Sequence, residues 1–261
     1  YEKIIKYCKK INIDFIVTPF DTDTIDFFKN KVKYFKISSS DITNFPLIEK
    51  ICKTKKPIIL STGASSSSEI KMALKLIQKY NNKITLLHCI LNYPTKRYDA
   101  NLNMIDDLKK KFKLPIGLSD HTNPKDSHDV LFLAAMKNIS MIEKHFTNNK
   151  LKKGNDHFHS FDKDDLIRFN KKILDAKKIL GSNKKKFLKS EIISRKNARR
   201  SLFYKKDLKK NARIRSSDII SLRPAIGISP IYYKSIIGKM IKIGTYTDGS
   251  TGAYRGNHCD R

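Results

Sequence analysis

Two histidines follow neighbouring apolar runs of the sequence and are the first candidates for chemistry. His121 lies in Ser119-Asp-His-Thr122, and His145 lies in Glu143-Lys-His-Phe-Thr147. Imidazole is a common ligand of divalent metal ions, and the carboxyl ends of adjacent parallel strands bring such side chains together. We therefore expect His121 and His145 to bind a divalent metal ion.

The other histidines carry weaker signals. His88 lies inside an apolar run, and we expect it to pack or to form a hydrogen bond there. His157 and His159 alternate after Asp156 in a Gly-Asn loop, and a histidine in such a loop is more often structural than a ligand. We expect neither His157 nor His159 to bind the metal.

Lys36 is the second candidate, because it lies in an otherwise apolar run that continues to Ser39 and Asp41. Burying a lysine without a partner costs several kcal/mol, so a buried Lys36 implies a bound anion. An edge strand with Lys36 facing water, or a Schiff-base lysine, would also explain the residue. Hydroxyl groups near a lysine suit a phosphate or a carboxylate.

These residues recur in a regular pattern of apolar runs, each followed by small or polar residues and then by an amphipathic helical stretch. Near-continuous apolar strands at a spacing of roughly 20 to 30 residues predict a parallel sheet that is covered on both faces. Without a glycine-rich dinucleotide motif, a (β/α) barrel is favoured over a Rossmann sheet. The runs are residues 15–21, 34–41, 57–63, 84–89, 115–122 and 141–147.

The active site of such a barrel lies at the carboxyl ends of its strands. We therefore expect one site to receive the polar residues at those ends, which are Thr18, Lys36, Ser39, Asp41, Ser61, Thr62, His88, Ser119, Asp120, His121, Glu143 and His145.

Two helices of this region have clear start signals. Ser66 and Glu69 form a capping-box pattern, followed by an apolar stripe of Ile70, Ala73, Leu74 and Ile77. Asp162 and Asp165 begin a second helix, which Gly181 ends. The apolar stripe of the second helix is predicted to be Leu166, Ile173 and Leu180.

The strand and helix pattern ends at Gly181. We interpret residues 1–181 as one α/β domain, residues 182–196 as a basic linker without periodicity, and residues 197–244 as a small β-rich domain. Within the small domain, strands are predicted at residues 201–204 and 219–222. Residues 245–261 stay unassigned.

Composition excludes several classes of protein. The 261 residues include 54 Lys and Arg against 25 Asp and Glu, a net charge of +29, with 39% hydrophobic residues, which is enough for a sizeable core. No apolar run approaches the roughly 18 to 20 residues of a membrane span. Four cysteines without CxxC spacing indicate reduced thiols and, with no signal segment, a cytoplasmic protein without a membrane partner.

The positive charge leaves one alternative class open. Lysines are spread over the polar faces of the helical segments, where they are usually solvated. No zinc-finger spacing and no aromatic RNA-binding signature accompanies them, so a nucleic-acid-binding protein on a barrel-like scaffold would rest on charge alone. We keep it as the alternative to an enzyme, although nucleic acid is not the expected partner.

Taken in order, the strand-end phrases resemble the sialic acid synthase family, which includes N-acetylneuraminate, legionaminate and pseudaminate synthases. The similarity covers about residues 1 to 243, and Arg199-Arg-Ser201 with Leu222-Arg-Pro-Ala-Ile-Gly-Ile-Ser-Pro230 resembles its C-terminal antifreeze-like (SAF) domain. The phrases are Lys36-Ile-Ser-Ser-Ser-Asp41, Pro57-Ile-Ile-Leu-Ser-Thr-Gly63, Leu87-His-Cys89 with Tyr93-Pro94, Gly117-Leu-Ser-Asp-His-Thr122, Glu143-Lys-His-Phe-Thr147 and Gly154-Asn-Asp-His157.

The resemblance implies a cytoplasmic transferase that condenses phosphoenolpyruvate with an N-acylated mannosamine-type sugar and releases phosphate. It implies Mn²⁺, or another divalent ion such as Mg²⁺ or Co²⁺, and a domain-swapped homodimer. By motif, His121 and His145 resemble the metal ligands and Arg223 the arginine that the SAF domain inserts into the partner's site. Lys36, Ser39, Ser61 and Ser119 resemble the phosphate-binding residues and Thr18 the carboxylate contact, whereas Asp41, Tyr93 and Asp156 resemble residues that position the sugar or act on it.

The chain also departs from the family pattern. The first two strands of the eight-stranded TIM-type barrel, which carry an acidic residue and a further lysine, have no counterpart before Tyr1. Leu91 stands at the position of an asparagine, and Ala198 stands where many members have Phe. We therefore expect a barrel that lacks its first two strands, and we expect the 261-residue polypeptide alone to be inactive.

Overall fold

The computed structural model describes residues 1–81, 83–154 and 156–242. The chain divides into two compact units, Tyr1–Gly181 and a second unit that begins at Ser182. Among the described helices, none is both long and apolar enough to cross a bilayer.

The first unit is a curled half-barrel of parallel strands with helices around it. In the described part of this unit, five strands pair in sequence order: β1 (Phe35–Ile37), β2 (Ile58–Ser61), β3 (Ile84–Cys89), β4 (Ile116–Asp120) and β5 (Ile142–Lys144). The helices are α1 (Glu2–Lys10), α2 (Thr22–Phe28), α3 (Phe45–Lys53), α4 (Ser67–Gln78), α5 (Met104–Phe112), α6 (Pro124–Met136) and α7 (Lys163–Leu180). The predicted parallel α/β barrel architecture is confirmed.

The register of the sheet decides which side chains share a face. Residues that pair in register on parallel strands point to the same side, and successive residues alternate. The outward face packs beneath the helices and carries Phe35, Ile37, Ile58, Leu60, Leu86 and Leu118. The inward face, here called the lumen, carries Lys36, Ser61, Cys89, Ser119 and Glu143.

The first predicted strand is the exception. Of the run 15–21, only Val17 pairs with Phe35, as an isolated parallel bridge. Pro19 has no backbone N–H to donate to a ladder. Asp21 then accepts a hydrogen bond from the Thr24 amide at 2.6 Å and caps α2, so this segment turns into a helix instead of extending the sheet.

Helix α4 confirms its sequence signals. Ser66 and Glu69 form both hydrogen bonds of a capping box, and the four predicted apolar residues of α4 are buried.

Helix α7 starts and ends as predicted, with the Asp162–Asp165 capping box and Gly181 after its last turn. Its predicted stripe was wrong at Leu166 and Leu180, which are exposed, whereas Ile173 packs against the core as predicted. The buried face is Asp165, Phe169 and Ala176. Lys150 holds the Asp165 carboxylate and Phe161 packs on Phe169, which turns that side of the helix inward.

The second unit has its own small core. The two predicted strands are confirmed as an antiparallel pair, β6 (Ser201–Tyr204) and β7 (Ile219–Leu222). The predicted linker differs from the structure, because it contains a 3-10 turn at Lys189–Glu191 and the start of α8 (Ile192–Ala198); α9 is Tyr233–Ile236. Core residues are Leu202, Tyr204, Leu208, Ile214, Ile219, Ile236 and Ile241.

Three cysteines, Cys8, Cys52 and Cys89, are free thiols, as expected for reduced cysteines. The last residues of the predicted β-rich domain, the unassigned segment 245–261 and Cys259 lie outside the described residues.

Candidate active site

Lys36 and Ser119 enclose the carboxylate of Glu143 in the lumen. Lys36 Nζ lies 3.4 Å from Glu143 Oε1, and the Ser119 hydroxyl donates to the same oxygen at 2.6 Å. The Lys36 side chain is 15% exposed, so this charge lies inside the half-barrel and not on an edge facing water. The three residues come from β1, β4 and β5, and they form a strongly polar floor.

The turns after β1 and β2 approach each other closely above this floor. The Gly63 amide donates to the Ser39 hydroxyl at 2.9 Å. A Cβ on Gly63 would lie 3.0 Å from Ser39 Oγ and 2.9 Å from Cys89 Sγ, so a side chain at this position would push on both. The neighbouring Ser61 hydroxyl is buried and has no hydrogen-bond partner among the described residues.

An unpaired buried hydroxyl costs free energy unless something bonds to it. Ser61 therefore indicates a missing acceptor or donor beside Lys36 and Ser39. Lys36, Ser39, Ser61 and Ser119 together are called the anion cradle below. A phosphate group would satisfy their donors.

Cys89 lies between the hydroxyls of this cradle. Burial raises the pKa of its thiol, and hydrogen bonds with Ser39 and Ser119 act in the opposite sense. Cys89 therefore stays a neutral thiol at neutral pH and adds no negative charge to the cradle.

The imidazole of His121 is fixed by the backbone. Its Nδ1 donates to the Ile90 carbonyl at 3.0 Å, which leaves Nε2 as the nitrogen with a free lone pair. The Tyr93 ring packs on His121 with a 4.1 Å centroid separation. Burial lowers the pKa of His121 and raises the pKa of Tyr93 to about 12, so a neutral imidazole faces a neutral phenol. A ring oriented in this way is suited to metal ligation.

His145, Asp156 and His159 form a second group beside His121. Their ligand atoms all lie within 4.8 Å of one another. The ring of His145 is 5.2 Å from that of His121 and 5.0 Å from that of His159, measured between centroids. Burial, helped by the nearby His145 and Lys144, lowers the pKa of His159 to about 4, so its imidazole is neutral at physiological pH.

Behind the two histidines, on the outward face, Asp120 and Lys144 form a buried ion pair. Lys144 Nζ lies 2.8 Å from Asp120 Oδ2, and the side chains are 2% and 8% exposed. Thr122 and Ser127 also donate hydroxyl hydrogen bonds to Asp120, at 2.8 Å and 2.9 Å. Because each member of the pair directly precedes a histidine, the pair fixes the ends of β4 and β5.

The structure separates the predicted site residues of the first unit into three sets. The anion cradle lines the lumen, and His121, His145, Tyr93 and Asp156 form the imidazole group, where Tyr93, His145 and Asp156 line a cavity of about 600 Å³. Thr18 and Asp41 follow the Val17 bridge and β1. The Asp41 carboxylate accepts a hydrogen bond from Asn44 at 3.0 Å and touches neither group, and Thr18 makes no side-chain hydrogen bond to a described residue. Arg223 is exposed directly after β7 in the second unit.

His88 lies on the outward face, which explains why it does not reach the site. Its Nε2 is 2.8 Å from the Ala100 carbonyl, as expected for a packed, hydrogen-bonded histidine. His157 is also outside the imidazole group, because its Nδ1 bonds to the Thr147 hydroxyl at 2.7 Å.

His159 lies beside His145 and Asp156, whereas the sequence interpretation treated it as a structural loop histidine. Glu143 was expected at the site but had no assigned role. The strand register predicts that Glu143 points into the lumen, since Glu143 pairs with Ser119. The sequence carries no signal that the His159 side chain points toward His145.

Comparison with known proteins places this geometry in a family. The NeuB family model matches residues 1–185, and the SAF domain model matches residues 199–243. The chain belongs to the NeuB family. It is 39% identical to the N,N'-diacetyllegionaminic acid synthase of Campylobacter jejuni over 244 residues, which are 92% of this chain and 72% of that protein.

Other proteins of this type are similar to the chain over most of its length. The pseudaminic acid synthase of Helicobacter pylori is 33% identical over 92% of this chain and 70% of its own length. The structure of the N-acetylneuraminic acid (sialic acid) synthetase of Leptospira borgpetersenii superposes with a TM-score of 0.66 at 34% identity, covering 74% of this chain and 68% of that chain. The chain is thus an enzyme of the NeuB type with a C-terminal SAF domain.

Proposed function

We propose that this NeuB-type chain condenses phosphoenolpyruvate with an N-acylated mannosamine-type sugar to give a nonulosonic acid. The observation that carries the proposal is the unpartnered Ser61 hydroxyl, buried in a cradle that also contains Lys36 and Ser39. A phosphate supplies the acceptors that this cradle lacks. The relatives named above are synthases of legionaminic, pseudaminic and sialic acids, so their products differ.

In this proposal the anion cradle holds the phosphate of phosphoenolpyruvate, and Thr18 contacts its carboxylate. The Glu143 carboxylate is paired with Lys36 and accepts a hydrogen bond from Ser119. The incoming phosphate displaces the carboxylate from both residues. Like charges in one site repel each other, and the displacement gives Glu143 a free position from which it can accept a proton.

The enol carbon forms a bond to the aldehyde carbon of the open-chain sugar, water adds to the adjacent carbon, and phosphate leaves with its bridging oxygen. Tyr93 and Asp156 line the cavity that would hold the sugar. Asp41 is not among the residues that line it, and we assign Asp41 to proton transfer at the sugar hydroxyls from its sequence motif alone. A divalent ion, Mn²⁺ or alternatively Mg²⁺ or Co²⁺, would be held by His121 and His145 and would polarise the aldehyde oxygen. Imidazole nitrogens suit Mn²⁺ and Co²⁺ better than Mg²⁺.

We further propose that the protein is a domain-swapped homodimer in which Arg223 serves the partner's site. Arg223 is exposed and its guanidinium makes no hydrogen bond or ion pair with a described residue, so its five donors are free for an anion. Arg223→Ala should raise the KM for the sugar without changing the mass measured by analytical ultracentrifugation. A monomeric wild type would contradict this part.

The test of the reaction measures phosphate release by the full-length protein from phosphoenolpyruvate, with Mn²⁺ and a set of N-acylated mannosamines. Lys36→Met should lower kcat/KM for phosphoenolpyruvate by about 10- to 150-fold, since a hydrogen bond to a charged group contributes about 1.5–3 kcal/mol. Lys33→Met is the matched control, because Lys33 lies three residues earlier in an exposed pair with Asp14.

Failure to release phosphate with any of these sugars would contradict the proposal. A pyruvate adduct trapped on Lys36 by borohydride would support a Schiff-base aldolase instead. Nucleic-acid affinity that falls steeply with salt, without turnover, would support the nucleic-acid-binding alternative.

A further inference from the structure

His159 is buried and has no hydrogen-bond partner in the described part of the chain. Its side chain is 0% exposed, and neither ring nitrogen has a partner among the described residues. A neutral imidazole has one donor and one acceptor, and leaving both unpaired in a protein interior costs free energy. A buried histidine whose two ring nitrogens are both unpaired, in a polar cluster, indicates that an ion or a small molecule binds there.

The distances around His159 indicate that the bound species is a metal ion. Its Nε2 lies 3.9 Å from Asp156 Oδ1, and Nδ1 of His145 lies 3.7 Å from Asp156 Oδ2. These separations are too long for hydrogen bonds. Ligand atoms that each lie about 2.1 Å from one ion are at most about 4.2 Å apart, and both separations to Asp156 are within that limit. All the ligand atoms of His145, Asp156 and His159 lie within 4.8 Å of one another, close to that limit.

We propose that His159 is a third imidazole ligand of the ion held by His121 and His145, with Asp156 as an oxygen ligand. The inference rests on the metal site of the proposed function and adds to it a ligand and a preference among metals. His121 lies beside this group, with its Nε2 free and its ring centroid 5.2 Å from that of His145 and 6.4 Å from that of His159, and is assigned as the remaining ligand.

Three imidazoles change which ion the site prefers. Nitrogen ligands bind Co²⁺ and Zn²⁺ more tightly than Mn²⁺, and Mg²⁺ favours oxygen ligands. We therefore expect this chain to bind Co²⁺ more tightly than Mn²⁺. Removal of His159 should reduce the ratio of the Co²⁺ affinity to the Mn²⁺ affinity. Asp156 then has two roles, because a carboxylate that binds the ion also lines the sugar cavity.

The experiment measures binding of Co²⁺ and Mn²⁺ to the metal-free protein by calorimetry, and it records the visible absorption of the Co²⁺ form. His159→Ala should weaken Co²⁺ binding by at least about tenfold, which exceeds its effect on Mn²⁺, and should shift the Co²⁺ absorption bands. His159→Gln fills more of the same space and should weaken Co²⁺ binding in the same way as His159→Ala. It is the variant to use if the alanine variant does not fold.

His157→Ala is the matched control. His157 is two residues away and bonds to Thr147, so its replacement should leave Co²⁺ affinity and absorption unchanged.

Two outcomes separate this inference from the proposed function. If His121→Ala and His145→Ala abolish metal binding while both His159 variants bind Co²⁺ like the wild type, the third ligand is refuted and the synthase proposal stands. If the His159 variants lose Co²⁺ but the wild type releases no phosphate with any sugar, the ligand set is supported and the synthase proposal fails.

Discussion

The buried pair of Asp120 and Lys144 offers a sharp test of how the site is built. Both side chains lie on the outward face of the sheet, 2.8 Å apart, and each precedes a histidine of the imidazole group. Asp120→Asn keeps the shape of the side chain and an oxygen acceptor for Thr122 and Ser127, but it removes the charge opposite Lys144.

The size of the effect follows from burial. Removing one partner of a buried ion pair costs about 3–5 kcal/mol. In the variant, Lys144 can avoid an unpaired charge by losing its proton. Deprotonation of Lys144 costs about 4.6 kcal/mol at pH 7 and about 1.9 kcal/mol at pH 9, because each pH unit below a free lysine's pKa of about 10.4 costs 1.36 kcal/mol.

The sign of the pH dependence is therefore fixed. Burial lowers the pKa of Lys144 and Asp120 opposes that shift, so the pKa falls further without the carboxylate. The unfolded variant binds more protons than the folded one in this range, and its stability rises with pH. We expect a destabilisation of about 3–5 kcal/mol at pH 7, shrinking to about 2 kcal/mol at pH 9, and a Tm lower by about 6–20 °C at pH 7.

Urea denaturation followed by far-UV circular dichroism at the two pH values measures this loss. Lys144→Met is the comparison, since it leaves Asp120 with the hydrogen bonds from Thr122 and Ser127 and should show little change between pH 7 and 9. A loss below about 1 kcal/mol for Asp120→Asn at pH 7, or a loss independent of pH, would refute the reasoning.

Two further predictions concern other parts of the first unit. Burial alone would raise the pKa of Asp165, but hydrogen bonds from Lys150, the Asp162 amide and His128 lower it to about 2, so its carboxylate stabilises the fold above about pH 4 and that stability is lost between pH 4 and 2. Asp165→Asn should lower the free energy of unfolding by about 2 kcal/mol at pH 7 and flatten the acid transition followed by circular dichroism, and an unchanged transition would contradict the assignment. Gly63→Ala should weaken phosphoenolpyruvate binding in calorimetry by at least about tenfold, because its Cβ would press on Ser39 and Cys89, and wild-type affinity would show that the cradle is not the phosphate site.

Much of the fold could be predicted from the sequence, because parallel strands buried on both faces are continuous apolar runs. Five of the six predicted strands formed, and the first predicted strand, residues 15–21, makes only a single bridge at Val17 before Pro19. The capping boxes before α4 and α7 were equally visible, since they are local hydrogen bonds. The buried face of α7 was not, because the contacts of Asp165 and Phe169 with residues elsewhere determine it.

The site was predictable only in part, for a related reason. A strand that is apolar on both faces does not reveal which residues point into the lumen, so the sequence grouped His88 and Asp120 with Ser61 and Ser119. The register separates them, placing His88 and Asp120 outward. His159 could not be foreseen, because its position depends on how a loop folds back onto the strand ends.

The central claim is that this chain joins phosphoenolpyruvate to a sugar with cleavage of the C–O bond, and the oxygen of the released phosphate tests it most directly. Phosphoenolpyruvate labelled with ¹⁸O at the bridging position is incubated with the full-length protein, an N-acylated mannosamine and Mn²⁺, and the phosphate is analysed by mass spectrometry. The account predicts sugar-dependent phosphate that retains the label. Phosphate that has lost the label, with the oxygen kept in pyruvate, would show P–O cleavage and contradict it.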